Sequence, residues 1–415
     1  MVCSGSTSNC TWLQKSLFLI LLACGITLIV TISVLVLNAA KSGEDSDFGS
    51  RIYSREDVAF TVSSNHYKEP GYREVYKHTN SIQDLNAYLK TLDPYSKYMT
   101  SEETTFLDKR NRKYRVGIGL DFLVKGERVF GVPVIQGPAY KAGMLQPAYV
   151  RSINDRKIEY SDFSSYSFLV ELSAGEVVRL LLEDGENLDK TAYSIKAASH
   201  TTDPITYYSY MDTLFIRIKK FTGGENSQLK KILDTSAQYK KLVLDLRYCP
   251  GGDLYAMVDM LSLILQDNLN VAYLEKANGK NELTLKTLPG RIITDTPLYV
   301  LVSEFTASTA ELFVWALKAN HPKVQVLGEP TKGKCLAQNM FGFHDGSALK
   351  LTTYEVKNSF NESCQGRPLV VDTLIPGILL SNTQDIFNLL TGKNPHAAGW
   401  HGDEFIVQPV PLVDF

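Results

Sequence analysis

LYVLVSEFTASTAELFVWALKA, Leu298 to Ala319, reads as an apolar strand (Leu298–Ser303), a short loop and an amphipathic helix opening at Ser308. Working outward, VQVLG (Val324–Gly328) is the next strand, and GKCLAQ (Gly333–Gln338) follows it. Upstream, LFIRIKKF (Leu214–Phe221) and KKLVLDL (Lys240–Leu246) read as strands, with a helix over Leu254–Leu265. Apolar strands alternating with amphipathic helices predict an α/β layer around a mostly buried sheet.

The chemistry sits at the ends of these elements. A helix start offers unpaired N–H groups and the positive end of the macrodipole, which favours developing negative charge at Ser308. Taken alone, a serine there is an N-cap. PGG at Pro250–Gly252, directly after a strand, lets the backbone approach a ligand and aim N–H groups at it, although alone it is also an ordinary tight turn. Lys334 alone is a surface charge. In a buried pocket it would lose its proton more easily and could serve as the base that a serine nucleophile needs, with Gln338 orienting the amine. Of the seven histidines, His344 lies nearest these segments, in FGFHDGS, a turn before a strand.

The chain has 415 residues, enough for two or three folded units, and a net charge of -2, so no basic field calls for nucleic acid. Residues 17–37 form 21 consecutive uncharged positions, roughly 32 Å of helix at about 1.5 Å per residue. That length predicts an uncleaved membrane anchor rather than a cleaved signal peptide; a lipoprotein-type site at Cys24 is the alternative. Lys15 before the run, and Glu44, Asp45 and Asp47 after it, place the N-terminus in the cytoplasm and the body outside. Three of the six cysteines, Cys249, Cys335 and Cys364, lie in the exported part and cannot all pair internally. No cysteine or histidine spacing points to zinc, and no metal or cofactor is expected.

Between anchor and sheet, Ser81 opens a helical pattern with Leu85, Leu89 and Leu92, stopped by Asp93-Pro94. Thr100-Ser101-Glu102-Glu103 then reads as a capped helix start. From about residue 112 to 198, short alternating strands (YRVGIGLDF, RVFGVPVI, YVRSIND, VVRLLLE) surround a short helix in GPAYKAGM and a second over Ser165–Leu172.

In this order, the segments resemble the carboxy-terminal processing (tail-specific) proteases, serine proteases with a Ser–Lys dyad and an embedded PDZ domain. The resemblance covers about residues 50–380. It rests on LKTLDPYSKYMTSEE, YRVGIGL, GPAYKAGM, LFIRIKKFT, LVLDLRYCPGG, VLVSEFTASTAE, GEPTKGKCLAQ and GSALKLTT. It implies Ser308 as nucleophile, Lys334 as general base and Gln338 as the residue orienting the lysine. The implied oxyanion donors are the backbone N–H of Thr309 and of Gly251 or Gly252. Gly117, Ile118, Gly119 and Leu120 would form a PDZ loop receiving the free C-terminus of an apolar polypeptide tail. The chain departs from the pattern at Thr309-Ala310, where the family usually has Ala-Ser, and at Cys335, which replaces a glycine. It also carries one extra residue between Ser308 and Lys334, and lacks Gly-Asp near Gln146-Pro147-Ala148.

The expected organisation is multidomain α/β. Residues 1–15 are cytoplasmic, 16–38 a transmembrane signal anchor, and 39–111 a linker and helical segment. Residues 112–198 are a β-rich PDZ domain with two helices, 199–380 the protease core, and 381–415 a C-terminal segment. The implied protein is a single-pass inner-membrane serine endopeptidase with its catalytic body on the periplasmic side, acting on polypeptides. The alternative is an inactive PDZ-bearing binding protein on the same fold.

Overall fold

The computed structural model describes residues 54–159, 166–184, 189–277, 279, 281–291, 296–377 and 383–391. Two units divide at Ile52/Tyr53; all described residues lie in the second. The predicted anchor at 17–37 and Cys24 lie outside them. Among the described residues no helix is long and apolar enough to cross a membrane.

The central sheet has six strands in the order Ile205–Tyr210, Thr213–Ile218, Lys241–Asp245, Leu298–Val302, Val324–Gly328 and Thr373–Leu374. The first pair is antiparallel and every later pair is parallel. The parallel strands are mostly apolar because both faces are covered: Leu242 and Leu244 face one core, Val243 and Leu301 the other. Helices Leu254–Ser262 and Thr309–Asn320 pack in the larger core. The helix expected over Leu254–Leu265 ends at Ser262, whose hydroxyl turns back to donate to Val258 O (2.6 Å) and accepts from Leu288 N (2.8 Å).

A second sheet, not foreseen from the sequence, pairs Ala348–Lys357 with Lys97–Met99, Asn270–Glu275 and Leu336–Gly342, and Asn281–Lys286 extends it. Its register places Gln338 opposite Thr352. The N-terminal helices pack on this sheet through Val58, Val62, Leu85 and Leu89 against Leu349 and Leu351. The helix stop at Asp93-Pro94 and the capped start at Thr100 fall where the sequence puts them: Ile82–Leu92 ends before Asp93, and Thr100 and Glu103 form a reciprocal capping box.

The β-rich part is a five-stranded sheet, Leu120–Lys125, Arg128–Pro133, Ala148–Ile153, Val177–Asp184 and Asp189–Lys196, joined by Arg156–Lys157. A separate pair links Tyr114–Gly117 to Ala198–Thr201. Pro138–Lys141 is the expected short helix. Of the helix expected over Ser165–Leu172, Ser165 lies outside the described residues and the rest forms only a 3₁₀ turn, Ser167–Val170, followed by a turn that Glu176 N closes on Ser173 O, with φ +94° at Gly175.

Candidate active site

Ser308 sits at the mouth of helix Thr309–Asn320 with φ 59° and ψ −127°, a backbone shape a non-glycine residue adopts only under local constraint. The constraint is visible. Ser308 N donates to Glu311 Oε2 (2.8 Å), and Leu312 N to Ser308 O (3.2 Å). Just before it, Thr306 Oγ1 donates to Leu246 O (2.9 Å), Ser303 Oγ to Arg247 O (2.5 Å) and Ala307 N to Cys249 O (3.1 Å). The loop before Ser308 is thus stitched to the loop 246–252.

That second loop is anchored by charge. Arg247, 2% exposed, and Arg217 both pair with Asp245 at 2.9 Å. Burial alone would raise the Asp245 pKa, but the two guanidiniums hold its carboxyl well below the usual range. The loop delivers Gly251 and Gly252 with φ of +100° and +146°. A Cβ on Gly251 would lie 2.7 Å from Ala307 O, 2.9 Å from Ser308 Cβ and 3.0 Å from Thr309 N, so only glycine fits against Ser308. A Cβ on Gly252 would strike Phe221 O, and Gly252 O accepts from Thr309 Oγ1 (2.8 Å). Ser308, Thr309, Gly251 and Gly252 are therefore brought together.

Lys334 arrives on the loop between strands Val324–Gly328 and Leu336–Gly342. Its Nζ donates to Gln338 Oε1 at 2.7 Å and lies 4.8 Å from the ring centroid of Tyr95. Burial first, then the positive charges of Lys350 and Lys332, push its pKa down to about 8; Glu311 and Asp93 oppose the shift. An amine with that pKa is substantially neutral at mildly alkaline pH and can accept a proton.

Glu311 is the residue that joins the halves, and sequence reasoning missed it. It is 1% exposed. Its Oε2 accepts from Ser308 N and from Lys334 N, each at 2.8 Å, so those nitrogens lie within twice that distance of each other. Its Oε1 accepts from Gly333 N (2.7 Å) and Thr331 Oγ1 (2.5 Å). Burial pushes the carboxyl pKa up and these bonds pull against it. The signal was present: Ser308 and Glu311 have capping-box spacing, which conceals a link to a loop 22 residues away.

Cys335 and Cys364 form a disulfide beside the lysine, and Cys249 is free and buried. In the β-rich part, Gly117, Ile118, Gly119 and Leu120 line a cleft with Phe122, Tyr166, Leu169 and Val170. Gly119 has φ +67°, and a Cβ there would meet Pro138 Cδ at 2.6 Å. This cleft is separate from the Ser308 site. Among the described residues, no hydrogen bond or ion pair joins His344 to Ser308 or Lys334.

Residues 212–374 match peptidase family S41. The resemblance to the carboxy-terminal processing proteases is borne out by relatives bearing that kind of name. A probable CtpA-like serine protease of Staphylococcus saprophyticus is 28% identical over 381 residues, 90% of this chain and 76% of the relative. One from Staphylococcus epidermidis is 28% identical over 329 residues, 79% of this chain and 66% of the relative. The solved photosystem II D1 C-terminal processing protease shares the fold with a TM-score of 0.60 at 18% identity, covering 80% of this chain and 99% of that one. The S41 match spans Gly251, Ser308, Glu311 and Lys334, so the clustered residues fall inside the family segment.

Proposed function

We propose that the chain is a membrane-anchored serine endopeptidase that works through an acyl-enzyme on Ser308, with Lys334 as general base. One observation carries this reading: a single buried carboxylate oxygen of Glu311 accepts from the backbone of both Ser308 and Lys334. Neutral Lys334 takes the proton from Ser308 Oγ as the oxygen attacks the scissile carbonyl. The resulting oxyanion is met by the N–H of Thr309 and of Gly251 or Gly252. Lys334 then gives its proton to the leaving amine as the C–N bond breaks, and water hydrolyses the ester by the same steps. Gln338 Oε1 accepts from the amine and so aims its lone pair.

Loss of proteolysis of an unfolded polypeptide in both Ser308→Ala and Lys334→Ala, with melting temperatures near that of the parent, is the expected result. Persistent cleavage in the Lys334 variant would overturn the mechanism. Absence of cleavage by the parent itself would leave the binding-protein alternative.

The cleft at Gly117–Leu120 is proposed as a PDZ-type groove for apolar C-terminal tails. Its apolar lining and the open edge of strand Leu120–Lys125 favour a peptide added as a strand. Arg110 Nη2 donates to Phe122 O (3.0 Å) on that edge, so an entering tail displaces it. Residues 17–37 would anchor the protein with its body outside the cytoplasm; release of the full-length protein by alkaline carbonate would refute this.

A further inference from the structure

Asp93 lies in the buried seam between the N-terminal helices and the second sheet and is 4% exposed. Its Oδ1 accepts from Tyr95 N (2.8 Å), Ser96 N (2.9 Å) and Thr352 Oγ1 (2.8 Å). Its Oδ2 accepts from Ser96 Oγ (2.6 Å) and His66 Nε2 (2.8 Å). Burial would raise its pKa, but these donors hold the carboxyl well below the usual range. His66 is fully buried and its tautomer is fixed: Lys68 N donates to Nδ1 (3.1 Å), which leaves Nε2–H for Asp93. Capping a helix end does not require so many donors on one carboxylate.

Two routes lead from this carboxylate to the lysine. The first is a chain of donors with one possible direction. An ionised carboxylate only accepts, so the Thr352 hydroxyl gives its proton to Asp93 and can only accept from its other side. Across the strand pair, Gln338 Nε2 approaches Thr352 Oγ1 at 3.5 Å and donates to Leu336 O at 2.6 Å. With the amide nitrogen held there, Oε1 faces Lys334 Nζ. A reversed amide would set its oxygen against Leu336 O and its NH₂ against the amine. The second route is steric. The Tyr95 N–H bond to Asp93 fixes the turn that lays the Tyr95 ring over Lys334 Nζ.

We infer that Asp93, with Thr352 and His66, is a positioning assembly for the Lys334–Gln338 pair, setting the polarity of the Gln338 amide and roofing the amine. The inference rests on the Ser308–Lys334 reading and joins Asp93 and His66, which lie outside the S41 match, to Thr352 within it. Two substitutions at Thr352 test it. Thr352→Val keeps the shape and removes the hydroxyl; Thr352→Ser keeps the hydroxyl. The expected result is a kcat at least about tenfold lower in Thr352→Val with KM within about twofold of the parent, and recovery of most of kcat in Thr352→Ser, a pattern that altered substrate binding would not give. Melting temperatures are measured alongside. Should Thr352→Val fail to fold, Tyr95→Leu reads the second route; Tyr95 is only partly buried and its backbone bond to Asp93 survives the change. Parent-like kcat in the folded variant, or no recovery with serine, overturns the assignment. Ser308→Ala is assayed in parallel: if it still turns over, the failure belongs to the Ser–Lys reading instead.

Discussion

Lys334 is held at the point where opposite influences nearly balance. Burial and the charges of Lys350 and Lys332 favour the neutral amine, while Glu311 and Asp93 favour the ammonium. The net effect is a pKa lowered to about 8 from an ordinary lysine value near 10.5. The sign for activity follows from the role of base: the protonated form cannot accept the serine proton. The logarithm of kcat/KM should therefore rise with pH with a slope near one below about pH 8 and level off above it. A profile already flat between pH 6 and 9 would contradict the base assignment. Glu311 matters in a different way, since its bonds go to backbone N–H groups and the Thr331 hydroxyl and not to the amine. It fixes where the lysine loop sits, and Gln338 fixes how its amine points.

The loop carrying Lys334 is the least regular element of the site, and it is fastened from outside. Cys335 is joined to Cys364, Cys335 N donates to Gln365 Oε1 (2.8 Å), and Gly366 N donates to Gly333 O (2.8 Å). The disulfide closes a loop across a separation of 29 residues, which by chain entropy stabilises by about 3–4 kcal/mol. Reduction, verified by counting thiols, should lower both Tm and kcat; unchanged values after full reduction would show that the clasp does not hold the base. Element by element, the chain announces its parallel strands and the helix after Ser308 because buried strands are mostly apolar and helices are periodic. Ser308, Lys334 and Gln338 are legible because they lie in short ordered motifs. The strand Leu336–Gly342 hides, since LAQNMFG alternates poorly and is partly exposed. Asp93 hides for another reason: Asp-Pro reads as a helix stop, and its partner Thr352 is 259 residues away. No local pattern carries such a contact.

At the scale of the whole molecule, the β-rich part is seated on the loops that hold the site. Phe130 stacks on Phe305 with centroids 5.1 Å apart and on Tyr248 at 6.3 Å, and Lys125 pairs with Glu304 at 2.6 Å. Phe305 and Tyr248 flank the loop before Ser308 and the Gly251–Gly252 turn, so the β-rich part that carries the Gly117–Leu120 cleft touches the loops of the site. If tails are read there, an unfolded substrate with a free apolar C-terminus is cleaved faster than its amidated or charged-tail counterparts; equal rates for all three would reject tail reading and leave the chemistry intact. The central claim is the acyl-enzyme on Ser308 made by Lys334. Its most direct measurement is intact-mass and peptide mapping of the protein after a serine-directed fluorophosphonate, at pH values on either side of 8, in the parent and in Lys334→Ala. A single adduct on Ser308, forming faster at the higher pH and lost in Lys334→Ala, is the predicted result. Labelling elsewhere, or undiminished labelling without Lys334, would contradict it.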